Sequence, residues 1–167
     1  FHPTPTRIAN VEEWGGTSWT TVTSLPAATN NAAGFGIEPA GVCAGGSTGS
    51  NTGATYEWGG SSWTAGGTMN VARNSAISGT GTATAGLVAG GSPESGNAGG
   101  TEGYDGTSWS TRPLMGTSRS AGGGLGPSSV ATAGLVSGGY SGTADVATTE
   151  EFTGETTSTN IVDITTS

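Results

Sequence analysis

Short apolar runs recur along this chain at a nearly constant spacing, and each run ends in Gly-Gly. The runs are Ala40-Gly-Val-Cys-Ala-Gly-Gly46, Ala85-Gly-Leu-Val-Ala-Gly-Gly91 and Ala133-Gly-Leu-Val-Ser-Gly-Gly139. Each apolar run is too short for a helix, and the chain shows no sustained helical spacing of apolar residues. Each run is therefore predicted to be a buried strand that ends at a glycine pair. The pairs are Gly45 and Gly46, Gly90 and Gly91, and Gly138 and Gly139.

Between these runs, two aromatic residues flank a tight turn. The copies are Trp14-Gly-Gly-Thr-Ser-Trp19, Trp58-Gly-Gly-Ser-Ser-Trp63 and Tyr104-Asp-Gly-Thr-Ser-Trp109. Gly at the second turn position accepts positive φ, so each copy predicts a β-hairpin. A fourth copy begins at Phe152, and the first aromatic residues are 44, 46 and 48 residues apart. A period near fifty residues is typical of the blades of a β-propeller.

One repeat is enough to predict the architecture. Strands are expected at 74–81, 85–89, 101–104 and 108–114, and four antiparallel strands make one propeller blade. Further strands are expected near 11–14, 18–24, 40–45, 54–58, 62–68, 133–137, 148–152 and 160–165. The predicted fold class is all-β, a β-propeller or a portion of one.

The repeat also divides the chain. Residues 1–10 are an N-terminal extension and 153–167 a C-terminal degenerate strand or tail. The repeats fill 11–152, in units of about 11–54, 55–100 and 101–147 with a fourth that starts at 148. This gives about three and a half blades, whereas closed propellers need roughly four to eight. The arc is expected to be completed by another segment or another copy; closure within one chain, with 9–25 pairing onto the strands near 120–137, is the competing geometry.

The aromatic pairs are predicted to pack between blades. Two large rings in each repeat can bury about 150–250 Å² each. Trp19, Trp63 and Trp109 are expected to be equivalent and mostly buried. The alternative is an exposed aromatic platform that stacks on sugars.

Composition narrows the classes of partner. The chain has 33 Gly, five Trp and no Lys, and twelve acidic residues against four Arg give a net charge of −8. Without a basic patch, neither nucleic acid nor an anionic membrane surface is an expected partner. No apolar run approaches the length of a membrane-spanning helix, so membrane insertion is not expected either.

The few charged residues fall in register. Arg73 and Arg119 share one repeat position, where the first repeat has Thr29. Each arginine is predicted to span a blade interface and pair with an acid, with an anionic ligand as the alternative. Two acidic rows are interpreted as a solvated face, with Ca²⁺ binding as the alternative. The rows are Glu12, Glu102 and Glu150, and Glu13, Glu57 and Glu151.

Residues for catalysis are scarce. The chain has one histidine, His2, and one cysteine, Cys43. No His/Cys/Asp cluster with metal-ligand spacing is present, and no nucleophile and base can be paired around His2. Cys43 takes the repeat position of Val88 and Val136, which predicts a small buried residue. We therefore expect no enzyme activity and no cofactor.

The order of these landmarks resembles the kelch repeat, from Val11 to about Phe152. The kelch positions are taken by Gly90, Gly91, Tyr104, Asp105, Trp109, Met115 and Arg119. The resemblance implies a kelch-like propeller of four-stranded antiparallel blades. Kelch-type sugar oxidases use a copper site built from His and Tyr, and this chain lacks the histidines for it.

More narrowly, the motif Thr101-Glu-Gly-Tyr-Asp-Gly-Thr-Ser-Trp109, set among Gly/Ala/Thr-rich spacers, resembles the repeats of kelch-like virion proteins of marine bacteriophages. That resemblance implies a non-catalytic structural or adhesive module of a phage virion, in a tail fibre, spike or surface appendage. Its expected partners are other virion proteins, further copies of itself and host surface glycans. The alternative is a carbohydrate-binding kelch module of a secreted bacterial protein.

Overall fold

The computed structural model describes residues 6–94, 99–125, 133–153 and 161–164. Every regular element in these ranges is a β-strand. Within them, no helix has the length and apolarity needed to cross a membrane. The all-β prediction is confirmed for this part of the chain.

The first two strands form an isolated hairpin, called hairpin A here. β1 (Val11–Trp14) and β2 (Trp19–Val22) pair antiparallel in a register that places Trp14 opposite Trp19. Gly16, in the turn between them, has φ of 89°, which explains the glycine at that position.

The following strands form three four-stranded antiparallel sheets. Sheet I contains β3 (Ala33–Ile37), β4 (Ala40–Ala44), β5 (Thr55–Trp58) and β6 (Trp63–Ala65). Sheet II contains β7 (Ile77–Thr82), β8 (Ala85–Ala89), β9 (Thr101–Tyr104) and β10 (Trp109–Arg112). Sheet III contains β11 (Gly123–Leu125), β12 (Ala133–Ser137), β13 (Thr149–Thr153) and β14 (Ile161–Ile164).

Successive sheets lie side by side. Strands follow one another in chain order within each sheet, and β7 lies against β3 of the preceding sheet and β11 of the following one. Four antiparallel sheets of two to four strands arranged in this way form a β-propeller-like fold.

The strand predictions hold for position and fail in two details. Two first strands, 33–37 and 123–125, were not among the predicted strands, because their Gly-rich sequences carry no alternation of apolar and polar residues. The fourth strand of sheet II, β10, is also shorter than the predicted 108–114. It ends at Arg112 because the next residue, Pro113, has no N–H to donate.

Hairpin A does not close the fold in the described part of the chain. β1 pairs with β2, and the strands at 123–125 and 133–137 pair within sheet III. The competing geometry, in which residues 9–25 pair onto strands near 120–137, is therefore wrong where residues are described. Residues 126–132 lie outside those ranges, as do the predicted strand ends at 160 and 165.

The best-packed core lies between sheets I and II. Its buried residues are Ala33, Phe35, Val42, Ala44, Met69, Val88, Tyr104 and Trp109. They come from both sheets and from the segment that joins them. Each sheet therefore obtains its core from its neighbour, as expected of short repeats that cannot bury a face alone.

Candidate functional site

The repeated residues meet at the junctions between neighbouring sheets. Here the first junction lies between hairpin A and sheet I, the second between sheets I and II, and the third between sheets II and III. The three junctions use the same repeat positions with different residues, so they can be compared directly.

At the second junction, Arg73 holds the connecting segment onto sheet II. Its guanidinium donates to the carbonyls of Gly90 at 2.9 Å and Gly100 at 2.7 Å, and to Oε1 of Glu102 at 2.7 Å. Arg73 and Glu102 are 1% and 2% exposed. Burial lowers the pKa of Arg73, and the Glu102 carboxylate opposes that shift. A buried pair of this kind is stable only because further hydrogen bonds satisfy both ions.

Arg119 repeats the arrangement at the third junction. Its guanidinium donates to the carbonyls of Gly138 at 3.1 Å and Thr148 at 2.7 Å, and to Oε1 of Glu150 at 2.5 Å. Arg119 and Glu150 are 0% and 3% exposed. The predicted pairing of both arginines with an acid is confirmed, and in each case the acid lies on the sheet that follows the arginine in the chain.

The two carboxylates also accept backbone N–H groups of the connecting segments. Glu102 accepts from Asn70 at 2.8 Å and Val71 at 3.2 Å, and Glu150 accepts from Gly116 at 2.6 Å and Thr117 at 3.0 Å. The interpretation of this acidic row as a solvated face is therefore wrong at Glu102 and Glu150. A charge row in sequence cannot distinguish a solvated face from carboxylates that each meet an arginine about thirty residues away.

The first repeat lacks both members of the ion pair. Thr29 takes the arginine position, and Tyr56 takes the carboxylate position because it faces Cys43 as Glu102 faces Val88. Loss of one partner alone would leave a buried charge uncompensated, which is strongly destabilising. The paired absence is therefore the arrangement that a stable sheet I requires.

The glycine pairs connect one arginine segment to the next. Gly46 N donates to the carbonyl of Arg73 at 2.8 Å, and Gly91 N donates to the carbonyl of Arg119 at 2.9 Å. Gly46 has φ of 94°, and a Cβ there would lie 2.7 Å from the carbonyl oxygen of Asn30. A side chain is excluded both by the backbone conformation and by the close approach of the neighbouring segment.

In the second and third copies, the second aromatic residue donates a hydrogen bond back to the segment that follows the preceding hairpin or sheet. Trp63 Nε1 donates to the carbonyl of Thr23 at 3.0 Å, and Trp109 Nε1 donates to that of Gly67 at 3.0 Å. Trp109 also donates to Thr55 Oγ1 at 2.9 Å and is 7% exposed. Packing between sheets is confirmed for Trp109, whereas Trp63 is half-buried.

The prediction that Trp19 is equally buried is wrong. Trp19 is 64% exposed and its pair partner Trp14 is 51% exposed. The local geometry is unchanged, because the ring centroids of this pair lie 5.4 Å apart, compared with 5.1 Å for Trp58 and Trp63 and 4.8 Å for Tyr104 and Trp109. What differs is that no described sheet lies in front of hairpin A.

Phe35 is a packing residue that the repeat pattern in the sequence does not mark. Its ring lies over two glycines of sheet II, and a Cβ added at Gly79 or Gly86 would lie 2.3 or 2.1 Å from ring atoms. The ring also contacts Tyr104 and Trp109 edge-on, with centroids 6.4 and 6.1 Å away. In sequence, these glycines are indistinguishable from the general glycine excess.

Glycines also occupy the positions of Gly79 and Gly86 at the other two junctions, where the residue above them differs. At the third junction they are Gly124 and Gly134, and the Phe35 position is taken by Thr80. A small apolar cavity of about 30 Å³ remains there. Among the described residues the buried Thr80 hydroxyl has no hydrogen-bond partner, so this junction is less completely filled.

At the first junction the pair is Gly34 and Gly41, and no described ring covers it. Apart from its own chain neighbours, a Cβ on either glycine would have no heavy atom nearer than 3.9 Å. The space is an open groove of about 530 Å³. Its lining includes Val11, Glu12, Trp14, Val22, Trp58 and Trp63.

Two further polar groups support the second junction. The Tyr104 hydroxyl donates to Oε1 of Glu57 in sheet I, and burial together with that hydrogen bond raises the pKa of Tyr104 to about 12. Asp105 caps the exposed turn, with its Oδ1 accepting from Ser108 N and Thr107 N at 2.8 Å each. These bonds lower the pKa of Asp105.

Cys43 is half-buried rather than fully buried, and burial raises the pKa of its thiol. In the ranges that the structure describes, no three His, Cys, Asp or Glu side chains are grouped as metal ligands would be. His2 lies outside the described residues.

Comparison with protein-family models gives no match, and comparison with curated proteins gives none either. Solved structures do match. One of them, a structure of YjhT, superimposes with a TM-score of 0.69 at 14% sequence identity. The match covers 88% of this chain and 49% of that one, so this chain spans about half the length of YjhT. At this level of identity, the likeness shows a shared β-propeller-like fold and extends to the fold alone.

Proposed function

We propose that this chain is a kelch-like propeller module that serves a phage virion as a non-catalytic structural or adhesive part. Tail fibres, spikes and other surface appendages are the settings that fit such a module. The observation that carries the proposal is the use of the repeated residues. Arg73 and Glu102 fasten a connecting segment to its sheet, and Trp109 and the glycine pairs join neighbouring repeats. The distinctive chemistry of the repeat is therefore scaffold chemistry.

The surface offered for host contact is a set of equivalent loops. They connect the second and third strands of each sheet, and their described residues are 45–54, 90–94 with 99–100, and 138–148. Gly, Ser and Thr dominate these loops, and in the last one Tyr140 is 43% exposed. A rigid scaffold that presents polar loops at one end is a common basis for recognition.

Virion proteomics tests the proposal. Particles of the phage that encodes the chain would be purified by density gradient and digested for mass spectrometry. We expect peptides of this chain to co-purify with capsid and tail proteins at a fixed ratio. Peptides found in the culture supernatant and absent from the particle fraction would contradict a virion role.

The second candidate is a carbohydrate-binding kelch module of a secreted bacterial protein. The exposed Trp14 and Trp19 rings favour it, because adjacent exposed indoles beside the Glu12 carboxylate provide both stacking and hydrogen-bonding groups for a sugar. A glycan array would detect this activity. Binding that is lost in Trp14→Ala and Trp19→Ala, but kept in Tyr140→Phe, would place a sugar site on hairpin A. Binding lost in Tyr140→Phe alone would place it on the loops.

A further inference from the structure

Hairpin A corresponds to the outer half of a sheet. β1 and β2 match β9 and β10 of sheet II in register, since Trp14 faces Trp19 as Tyr104 faces Trp109. In sheet II, β9 pairs with β8 on one side and β10 on the other. Among the described strands β1 pairs with β2 alone. One edge of β1 therefore offers backbone donors and acceptors for another strand.

Glu12 lacks the partners that bind the carboxylates at its repeat position in sheets II and III. It occupies the repeat position of Glu102 and Glu150, which are buried by an arginine and two backbone N–H groups. Glu12 is exposed, and no described residue hydrogen-bonds its side chain. In sheets II and III these partners come from the segment that leads into the first strand. An element that completed hairpin A in the same way would carry an arginine just ahead of two strands.

The groove at the first junction is open where the equivalent space at the second junction is filled. At the second junction, the Phe35 ring from the first strand of sheet I fills the space above Gly79 and Gly86. Above Gly34 and Gly41 the equivalent space is the open groove of about 530 Å³, with Trp58 and Trp63 in its wall. An apolar ring on the first strand of an element that completed hairpin A would enter this space.

We propose that hairpin A is a docking surface for a β-hairpin of this repeat type. The hairpin is supplied by a polypeptide segment outside residues 6–164 and completes a four-stranded sheet with β1 and β2. Its arginine pairs with Glu12, its second strand pairs with β1, and an apolar ring on its first strand enters the groove above Gly34 and Gly41. A second copy of this chain is a poor source, because its own inner hairpins are already paired with β5, β9 and β13.

The chain provides its own probe. Residues 69–92 contain the Glu102-binding N–H groups of Asn70 and Val71, together with Arg73, β7 and β8. A synthetic peptide of this sequence with Thr80→Phe supplies every feature that the surface requires. We expect saturable one-to-one binding to the full chain with a blue shift of tryptophan fluorescence, because Trp14, Trp58 and Trp63 line the groove.

Matched variants test the chemistry of the site. Glu12→Gln in the chain, or Arg73→Gln in the peptide, should each weaken binding about tenfold to a hundredfold, since one charged partner of a buried pair is lost. Gly41→Leu should abolish binding by filling the groove. Asp145→Asn removes a carboxylate from an exposed loop far along the chain and should leave binding unchanged. Binding that is insensitive to Glu12→Gln and Gly41→Leu would overturn the proposal.

A fused variant covers the case in which the free peptide fails to form a hairpin, since isolated two-stranded hairpins are marginally stable in water. Residues 69–97 with Thr80→Phe, joined directly ahead of Ile8, keep the spacing between Arg73 and Glu102. The fusion should raise the unfolding midpoint, and Glu12→Gln should remove that gain. Absence of both peptide binding and fusion stabilisation would refute the proposal. Sedimentation that shows a dimer of the unmodified chain, disrupted by Gly41→Leu, would make a second copy the occupant and would also refute it.

Discussion

The second junction is filled and the first is open, although both are built from the same repeat. Between sheets I and II, the Phe35 ring covers two glycines, Trp109 is 7% exposed and Glu102 is 2% exposed. Between hairpin A and sheet I, the equivalent glycines face a groove, and within hairpin A the equivalent tryptophan, Trp19, is 64% exposed. The same sequence position is core or surface according to whether a neighbouring sheet is present.

Removal of a carboxylate should separate the two regions most strongly. Glu102→Gln leaves the buried Arg73 without a counter-charge and should lower the free energy of unfolding by about 3–5 kcal/mol. Glu12→Gln, at the same repeat position on hairpin A, should change it by less than about 0.5 kcal/mol. Urea denaturation of both variants measures the difference. Equal losses would mean that the exposed carboxylate is also paired.

The indole N–H groups should give the next largest contrast. Trp109→Phe keeps an aromatic ring but deprives the Gly67 carbonyl and Thr55 hydroxyl of their donor. The expected cost is about 1–3 kcal/mol. Trp19→Phe should be close to neutral, because that side chain is largely in solvent. Denaturant midpoints at constant m-value would report both, and a costly Trp19→Phe would contradict the assignment of Trp19 as surface.

Replacing Gly86 or Gly41 by alanine should show which of the two junctions has room for a methyl group. Gly86→Ala places a Cβ 2.1 Å from the Phe35 ring and should cost about 1–3 kcal/mol through overpacking. Gly41→Ala meets nothing nearer than 3.9 Å and should be neutral, or stabilise by about 0.4–1 kcal/mol through the unfolded chain. Thermal unfolding of the two variants suffices. A destabilising Gly41→Ala would mean that the groove is filled in solution.

Alkaline pH should weaken the second junction gradually. The pKa of Tyr104 is raised to about 12 in the folded protein, so folding favours the protonated phenol. Its contribution is complete below the unfolded value near 10 and is lost as the pH rises from about 10 to 12, at up to ~1.4 kcal/mol per pH unit. The difference in stability between wild type and Tyr104→Phe should therefore shrink across that window. A constant difference would show that the phenol does not titrate there.

The sequence predicts the scaffold well and its environment poorly. Apolar runs, glycine pairs and aromatic turns lie within a few residues of one another, so local pattern suffices to place β4, β5, β8 and β9. The cover above Gly79 and Gly86 comes from Phe35, more than forty residues earlier, and leaves no local signal. The exposure of Trp19 depends on what lies in front of hairpin A, which its own motif does not encode.

Sequence also underestimates how each ion pair is enclosed. Arg73 and Glu102 both appear as ordinary charged residues in a polar chain, and the preference for a solvated acidic face followed from that. Their burial follows from the folded structure, in which the segment at 69–73, the glycine pair after β8 and strand β9 come together. The coupled change to Thr29 and Tyr56 in the first repeat fits this pairing, and it is recognised only once the strand register places Tyr56 at the carboxylate position.

The glycine pairs that end β4 and β8 bear on how a chain of this kind can gain repeats. Gly46 holds the backbone of Arg73, whose guanidinium reaches Gly90, while Gly91 holds the backbone of Arg119. The Gly46–Arg73 and Gly91–Arg119 bonds each join one repeat to the next, and the Arg73–Gly90 bond lies within a repeat. Duplication of one repeat therefore brings its own glycine pair, arginine and carboxylate. In a protein where each repeat contacts its neighbours alone, a repeat can be added without readjusting a core shared by the whole chain.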